Sequence, residues 1–287
     1  RDCLLSRGLG DVYKSQSLFN VVKAYALFDP ECGYCQGMQF VVGPLLLNMP
    51  DEEAFSTFVR LMQNYDLRGH FIPNMPSLQL RLYQFDRLVE ETLPLLHLHL
   101  VRRGIKSSMY ASQWFMTLFS YRFPLDVVYR ILDSVFAEGI EAIFRFALAL
   151  LQKSEDKLVT LPFEECLNFL KLHLVDAYTV PAKDGAPAHV STGELMHDAF
   201  RVKLSPHLLQ TLANEFFDQA KAASAQQVEV EALRLVNRNL RLRVQALEEQ
   251  MSQLSAEHVD LVKRVVTSKL SQEEMAEELV RYKVMYV

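Results

Sequence analysis

Residues 17–47 read SLFNVVKAYALFDPECGYCQGMQFVVGPLLL, two apolar segments separated by a short polar interruption. In the first, Leu18, Val21, Val22 and Tyr25 recur at i, i+3, i+4 and i+7, the spacing of one helix face. The second, Phe40 to Leu47, is almost wholly apolar and reads as a helix buried on most sides. Asp29, Pro30 and Gly33 break the chain between them, which places Gln36 in a tight connection leading into the second helix. A side-chain amide held there faces outward from a rigid base.

The same helical spacing extends along the chain. Pro50 and the acidic run Asp51-Glu52-Glu53 form a helix start, followed by Phe55, Phe58, Val59 and Met62. After a loop around Gly69 to Pro76 come Leu78, Leu82, Phe85, Leu88 and Val89, then Leu93 to Val101, which Gly104 ends. Tyr110 to Phe123 repeats at helical spacing through Trp114, Phe115, Leu118 and Phe119, an aromatic set expected in the core. Pro124 opens a helix through Val135 that stops at Gly139, and residues 141–151 are apolar enough to be buried all round. Arg145 within that run calls for a structural ion pair. Pro162 and Ser205-Pro206 mark two later helix starts, with a loop from Pro181 to Thr192 between them. No segment shows convincing strand alternation, so residues 17–220 read as an all-α, multi-helix globule. Residues 1–16 show no sustained period and read as an irregular lead-in; Gly8 and Gly10 lack the strand and further glycines or Gly-Lys-Ser/Thr that a phosphate loop needs.

Residues 221–287 read differently. Leu233, Leu240, Leu247, Leu254 and Leu261 fill the first five d positions of a heptad that continues through Ser268, Met275 and Tyr282. The a positions are Asn237, Val244, Met251, His258, Val265, Gln272, Leu279 and Tyr286. A long coiled-coil helix pairing two chains through residues 233–286 is expected, with Asn237 favouring a parallel homodimer in one register and Ser268 and Gln272 weakening the later seam. A single amphipathic helix folding back on the globule fits the same pattern.

Composition narrows the function. The 287 residues are 50% hydrophobic and 23% charged, with net charge −5, which gives no general attraction to phosphate backbones; nucleic acid is not an expected partner. The four cysteines, Cys3, Cys32, Cys35 and Cys166, are too few for a disulfide framework and suit a reducing, cytoplasmic setting. No apolar run approaches the roughly 20 residues that span a bilayer. Cys32-Gly-Tyr-Cys35 has the spacing of a redox pair, yet the βαβ context and the two further zinc ligands are absent, so both residues read as ordinary thiols. The eight histidines form no ligand motif, and no serine or cysteine nucleophile signature occurs.

The segment SLFNVVKAYALFDPECGYCQGM, residues 17–38, closely resembles the signature of the TBC domain, the family of GTPase-activating proteins for Rab GTPases. The resemblance continues in collinear order through FVVGPLLLNMPDEEAF, SSMYASQWFMTLFSYRFP, RILDSVFAEG and IFRFALALL, to about residue 155. With its heptad, the chain is most similar to TBC proteins of the Gyp5 and ecotropic-viral-integration-site type, which act on vesicle-traffic Rabs.

The resemblance implies that an arginine from I-x-x-D-x-x-R and a glutamine from Y-x-Q-G are inserted into the GTPase site. Gln36 matches the glutamine, with Tyr34 and Gly37 as its flanks, and Asn20, Tyr25 and Asp29 are expected to hold its loop against the GTPase. Phosphoryl transfer needs charge stabilisation on the γ-phosphoryl oxygens and an oriented water, which an amide and a guanidinium supply; the latter is worth about 10³ to 10⁵ in rate. No cofactor is expected of this chain, since GTP and Mg²⁺ travel with the GTP-form Rab. Asp2 resembles the start of D-x-x-R, but Leu5 stands in the arginine position; Arg7, the nearest basic residue and two positions late, is the candidate catalytic arginine beside Gln36. With the family's first helices also missing, the chain reads as N-terminally incomplete. The expected function is Rab GTPase activation in vesicle traffic, in the cytoplasm or peripheral to Golgi or transport-vesicle membranes; the alternative is a non-catalytic Rab-binding or coiled-coil scaffold.

Overall fold

The computed structural model describes residues 9–181 and 189–285, and chain contacts divide it into two compact units between Phe217 and Asp218. In the first, α1 (Leu9–Phe28) packs on α2 (Met38–Leu46) and α3 (Asp51–Asn64). A 3-10 turn at Arg68–His70 leads to α4 (Pro76–Thr92), which packs on α5 (Pro94–Arg103) and α6 (Ala111–Thr117). The set is completed by α7 (Leu125–Glu138), α8 (Ala142–Leu158), α9 (Phe163–Leu172) and α10 (Thr192–Arg201). An 80-residue helix, α11 (Pro206–Met285), begins in the first unit and makes up the described part of the second.

The expected all-α class holds. In α8, Ile143, Phe144, Phe146 and Leu148 through Leu151 are buried along with Ala142, Ala147 and Ala149, so the apolar run is covered on nearly every side. Trp114 and Phe115 are core residues, with the Phe115 ring edge-on to Phe85 and Phe144. Arg145 pairs with Glu138 at 3.3 Å, as the sequence calls for. Gly104 and Gly139, which end α5 and α7, have φ of 71° and 104°, the left-handed region that only glycine enters freely.

Four local expectations are corrected. Helix α1 begins at Leu9, inside the stretch read as irregular: its packed part propagates upstream through helix-compatible residues, and Gln16 Nε2 donates to Asn20 Oδ1 at 3.0 Å one turn on. The segment after Tyr110 is not one helix to Phe123. It stops at Thr117 because Leu118 and Phe119 adopt φ of 47° and 65°, which lets Phe119 stack on Trp114 at 5.9 Å. Thr179–Val180 and His189–Val190 form a two-residue antiparallel ribbon, β1 and β2, too short to show alternation. Helix α10 follows directly on the loop expected from Pro181 to Thr192, where no helix start is expected, although Ser191 and Glu194 have capping-box spacing and Leu195 and Ala199 lie one turn apart and buried.

Candidate functional site

Helix α1 ends at Phe28, and the chain turns back through residues 29–37 before α2 starts at Met38. The turn is tied at its first residue. Asp29 Oδ2 accepts the Tyr25 hydroxyl at 3.0 Å, and Oδ1 accepts the backbone N–H of Cys32 at 3.3 Å. Arg68 then closes on the same carboxylate in a two-pronged contact, Nε to Oδ2 at 2.6 Å and Nη2 to Oδ1 at 2.9 Å, and reaches Glu31 at 3.0 Å. The Asp29 side chain is only 13% exposed, and its hydrogen bonds to Arg68 hold its pKa down to about 2 against partial burial. Tyr25 is fully buried with its ring edge-on to Phe58 at 4.8 Å; burial, then the Asp29 contact, pushes its hydroxyl pKa upward.

The far end of the turn is fixed as tightly. Gly37 is buried with φ 117°, and a Cβ there would stand 3.4 Å from the Phe71 ring in a backbone conformation that L side chains rarely adopt. Its N–H donates to Gln39 Oε1 at 2.9 Å, and the same oxygen accepts the Tyr34 hydroxyl at 3.4 Å. Cys35 Sγ donates to the Phe71 carbonyl at 3.2 Å. Gln36, between these pinned residues, is exposed and its amide makes no hydrogen bond to any described residue.

Arg68 and Phe71 bracket the 3-10 turn beneath the loop, and that turn has its own foundation. Buried Arg81 donates through Nη1 to Asp66 Oδ2 and His70 Nε2, both at 3.0 Å. Because a guanidinium can only donate, His70 Nε2 must accept, and burial, then Arg81, holds the His70 pKa well below its ordinary value. Gly69 has no substitute here: a Cβ would come within 1.9 Å of Ser77 Oγ. Beside the loop, the Phe40 and Tyr121 rings meet edge-on at 4.8 Å, with the exposed Arg122 guanidinium 4.6 Å over Tyr121.

The structure thus brings Tyr25, Asp29, Tyr34, Gln36 and Gly37 into one constellation. Asn20 is not part of it; its amide oxygen faces Gln16 on the exposed side of α1. Arg7 lies outside the described residues. Arg68, Gln39 and Phe71 are the supports that sequence reading missed. Gln39 sits two residues past Gly37 and could have been weighed as its partner, but nothing in the sequence links Arg68 to Asp29 across 39 positions. The C-x-x-C thiols are free: Cys32 is pushed up to about 11, by burial first and the Asp29 carboxylate second, and no described group of side chains could hold a metal ion.

The braced turn thus holds the exposed Gln36 amide on an all-α domain. The comparisons agree on the class. The RabGAP TBC domain family matches residues 15–219, and the chain belongs to that family. It is 41% identical to the GTPase-activating protein GYP5 of Eremothecium gossypii over 93% of this chain and 36% of the relative. It is 39% identical to the human ecotropic viral integration site 5 protein homolog over 92% of this chain and 32% of the relative. The chain therefore spans about a third of the length of these curated relatives. The crystal structure of the Chlamydomonas flagellar RabGAP TBC domain superposes with a TM-score of 0.53 at 26% identity, over 70% of this chain and 62% of that one. Among the described residues, no helix is long and apolar enough to cross a membrane.

Proposed function

We propose that the chain stimulates GTP hydrolysis by a Rab-family GTPase, with Gln36 as the group it inserts into the nucleotide site. The observation that carries this reading is the exposed, unpartnered Gln36 amide on a turn fixed at Asp29 and Gly37. Positioned rigidly, an amide can donate to the transition-state oxygens and orient the attacking water without reorganising during the reaction. Tyr34 and Gly37 flank it at the GTPase surface, while Tyr25 and Asp29 hold the loop. GTP and Mg²⁺ are brought by the Rab, so the chain needs no cofactor of its own. The GYP5 relative's name, a GTPase-activating protein, supports an activator role. The same proposal places that role in vesicle traffic, in the cytoplasm or peripheral to Golgi or transport-vesicle membranes. In the same proposal, the heptad from Leu233 joins two chains as a homodimer.

Single-turnover GTP hydrolysis by a panel of Rabs tests the reading. Wild-type chain should accelerate at least one member, and Gln36→Ala should lose about 100-fold of that acceleration, the usual effect of removing one transition-state donor. No acceleration of any Rab by either chain rejects it. A second reading, a non-catalytic Rab-binding scaffold, is favoured by Leu5 standing where the family places its arginine. Capture of GTP-loaded Rab with no change in hydrolysis, equally strong for Gln36→Ala, selects the scaffold.

A further inference from the structure

The leucine heptad uses one side of α11. On the opposite side lies a second stripe: Val228, Leu235 and Leu242, seven residues apart, are 65%, 61% and 59% exposed. With Leu233 at d these are f positions, and Ala225 and Ala232, at c, lie between them, so small and large residues alternate along the stripe. The next f position is Glu249, which ends it. One flank carries Glu231 and, seven residues on, Arg238, both exposed; Glu231 also accepts a hydrogen bond from Gln227 at 3.4 Å.

We propose that this stripe is a second self-recognition seam, through which copies of the chain pair antiparallel over residues 225–242, apart from the Leu233–Leu261 seam. Antiparallel helices set c positions opposite f positions. In the register that pairs Leu235 with Ala232 of the second copy, Leu242 meets Ala225, and symmetry repeats both contacts. Each large side chain then faces a small one, which allows an interaxial distance near the low end of the usual range, about 8 Å. The same register places Glu231 beside Arg238 of the second copy, twice. Parallel pairing loses both matches: leucine would oppose leucine, alanine would oppose alanine, and Arg238 would lie beside Arg243 of the neighbour. Asn239 faces Val228 at the margin of the seam, where its amide keeps access to water.

The chemistry favours a second copy over other occupants. A bilayer surface selects aromatic anchors, and none occurs between Phe217 and Tyr282. A uniformly acidic partner helix would meet Glu229 and Glu231 as well as the arginines. Because the stripe and the leucine seam lie on opposite sides of one helix, pairing through both is open-ended and grows with concentration.

The test is sedimentation equilibrium of the full chain over a wide concentration range, with circular dichroism confirming that helix content is kept. Weight-average mass should climb with concentration, past two chains if the leucine seam also pairs. Glu231→Arg or Arg238→Glu alone should suppress the climb, and the two together should restore it. Leu235→Gln with Leu242→Gln should remove the stripe's share of it, leaving no association beyond the two chains that the leucine seam can join. A mass independent of concentration overturns the proposal, as does a climb that the single charge reversals leave unchanged. So does binding of phosphatidylserine vesicles or of a synthetic acidic amphipathic helix that Leu235→Gln abolishes while self-association persists. None of these readouts depends on GTPase activation, so the two proposals fail separately.

Discussion

Helix α8 and the part of α11 beyond Phe217 are both rich in aliphatic residues at helical spacing, yet they stand in opposite surroundings. In α8, Phe144 and Leu150 are fully buried by the rest of their own unit; in α11, Leu240, Leu247 and Leu254 are 56–67% exposed. The difference is one of width and period. The α8 run is apolar all round and needs neighbours on every side, whereas the α11 leucines recur every seven residues within a narrow a/d seam, a width that one partner helix would cover. Periodicity therefore says which face is to be covered, and its width says by how many neighbours. The Gln36 turn is a third case, in which polar contacts set the geometry.

Breaking the covered side of this comparison should have the largest effect. Phe144→Ala, at the meeting point of α8 with the Phe115 ring, is expected to destabilise the first unit by about 3–5 kcal/mol, read from the midpoint and slope of urea unfolding. A loss under 1 kcal/mol would mean that the site collapses to fill the cavity. Arg68→Ala comes next. It removes the two-pronged contact to Asp29 and leaves that carboxylate partly buried, at a cost of about 1–3 kcal/mol. It should also lower maximal Rab GTP hydrolysis more than it weakens Rab binding, because the turn loses its brace while the surrounding surface stays. Arg68→Lys should recover little, since an ammonium cannot make the paired contact. Equal loss of binding and of rate would place Arg68 in the Rab interface instead.

How much of this was legible depends on the range of each interaction. Helix spans followed from local spacing, so Tyr25, Phe58 and the α8 run were readable as core. Gln36 was readable as a polar residue between two apolar helices, and the family resemblance gave it a role. Its supports were not readable. Arg68 meets Asp29 across 39 residues, and Gly69 is required because Ser77 crosses it, both products of tertiary packing. The early end of α6 belongs to the same class: Leu118 and Phe119 leave the helix so that aromatic rings can stack, and packing overrides local preference. The ribbon at Thr179 and Val190 rests on two residues per strand, too few for a period.

The Asp29 brace also predicts a pH response smaller than that of Arg68→Ala. In the folded chain its pKa sits near 2, below the ordinary carboxylate value of 3.8, because Arg68 stabilises the charged form. A group with a depressed folded pKa adds stability above its unfolded value and loses it as pH falls through the folded one. The Asp29 contribution is therefore complete above about pH 4 and disappears between about pH 4 and 2. Urea midpoints for wild type and Asp29→Asn should converge across that window, and parallel curves would show that the ion pair does not couple to folding.

The smallest effect is expected on the other side of the comparison. Leu254→Ala removes a d-position leucine that is 67% exposed in the single chain, so it should move the unfolding midpoint of the first unit by less than about 0.5 kcal/mol. The same substitution should lower the sedimentation mass at dilute concentration, because the leucine is covered only when another helix lies on the seam. A residue silent in one measurement and decisive in the other is the signature of a face completed by a second chain. If Leu254→Ala instead destabilised the first unit as Phe144→Ala does, the leucine seam would belong to the fold of one chain, and the contrast with α8 would disappear.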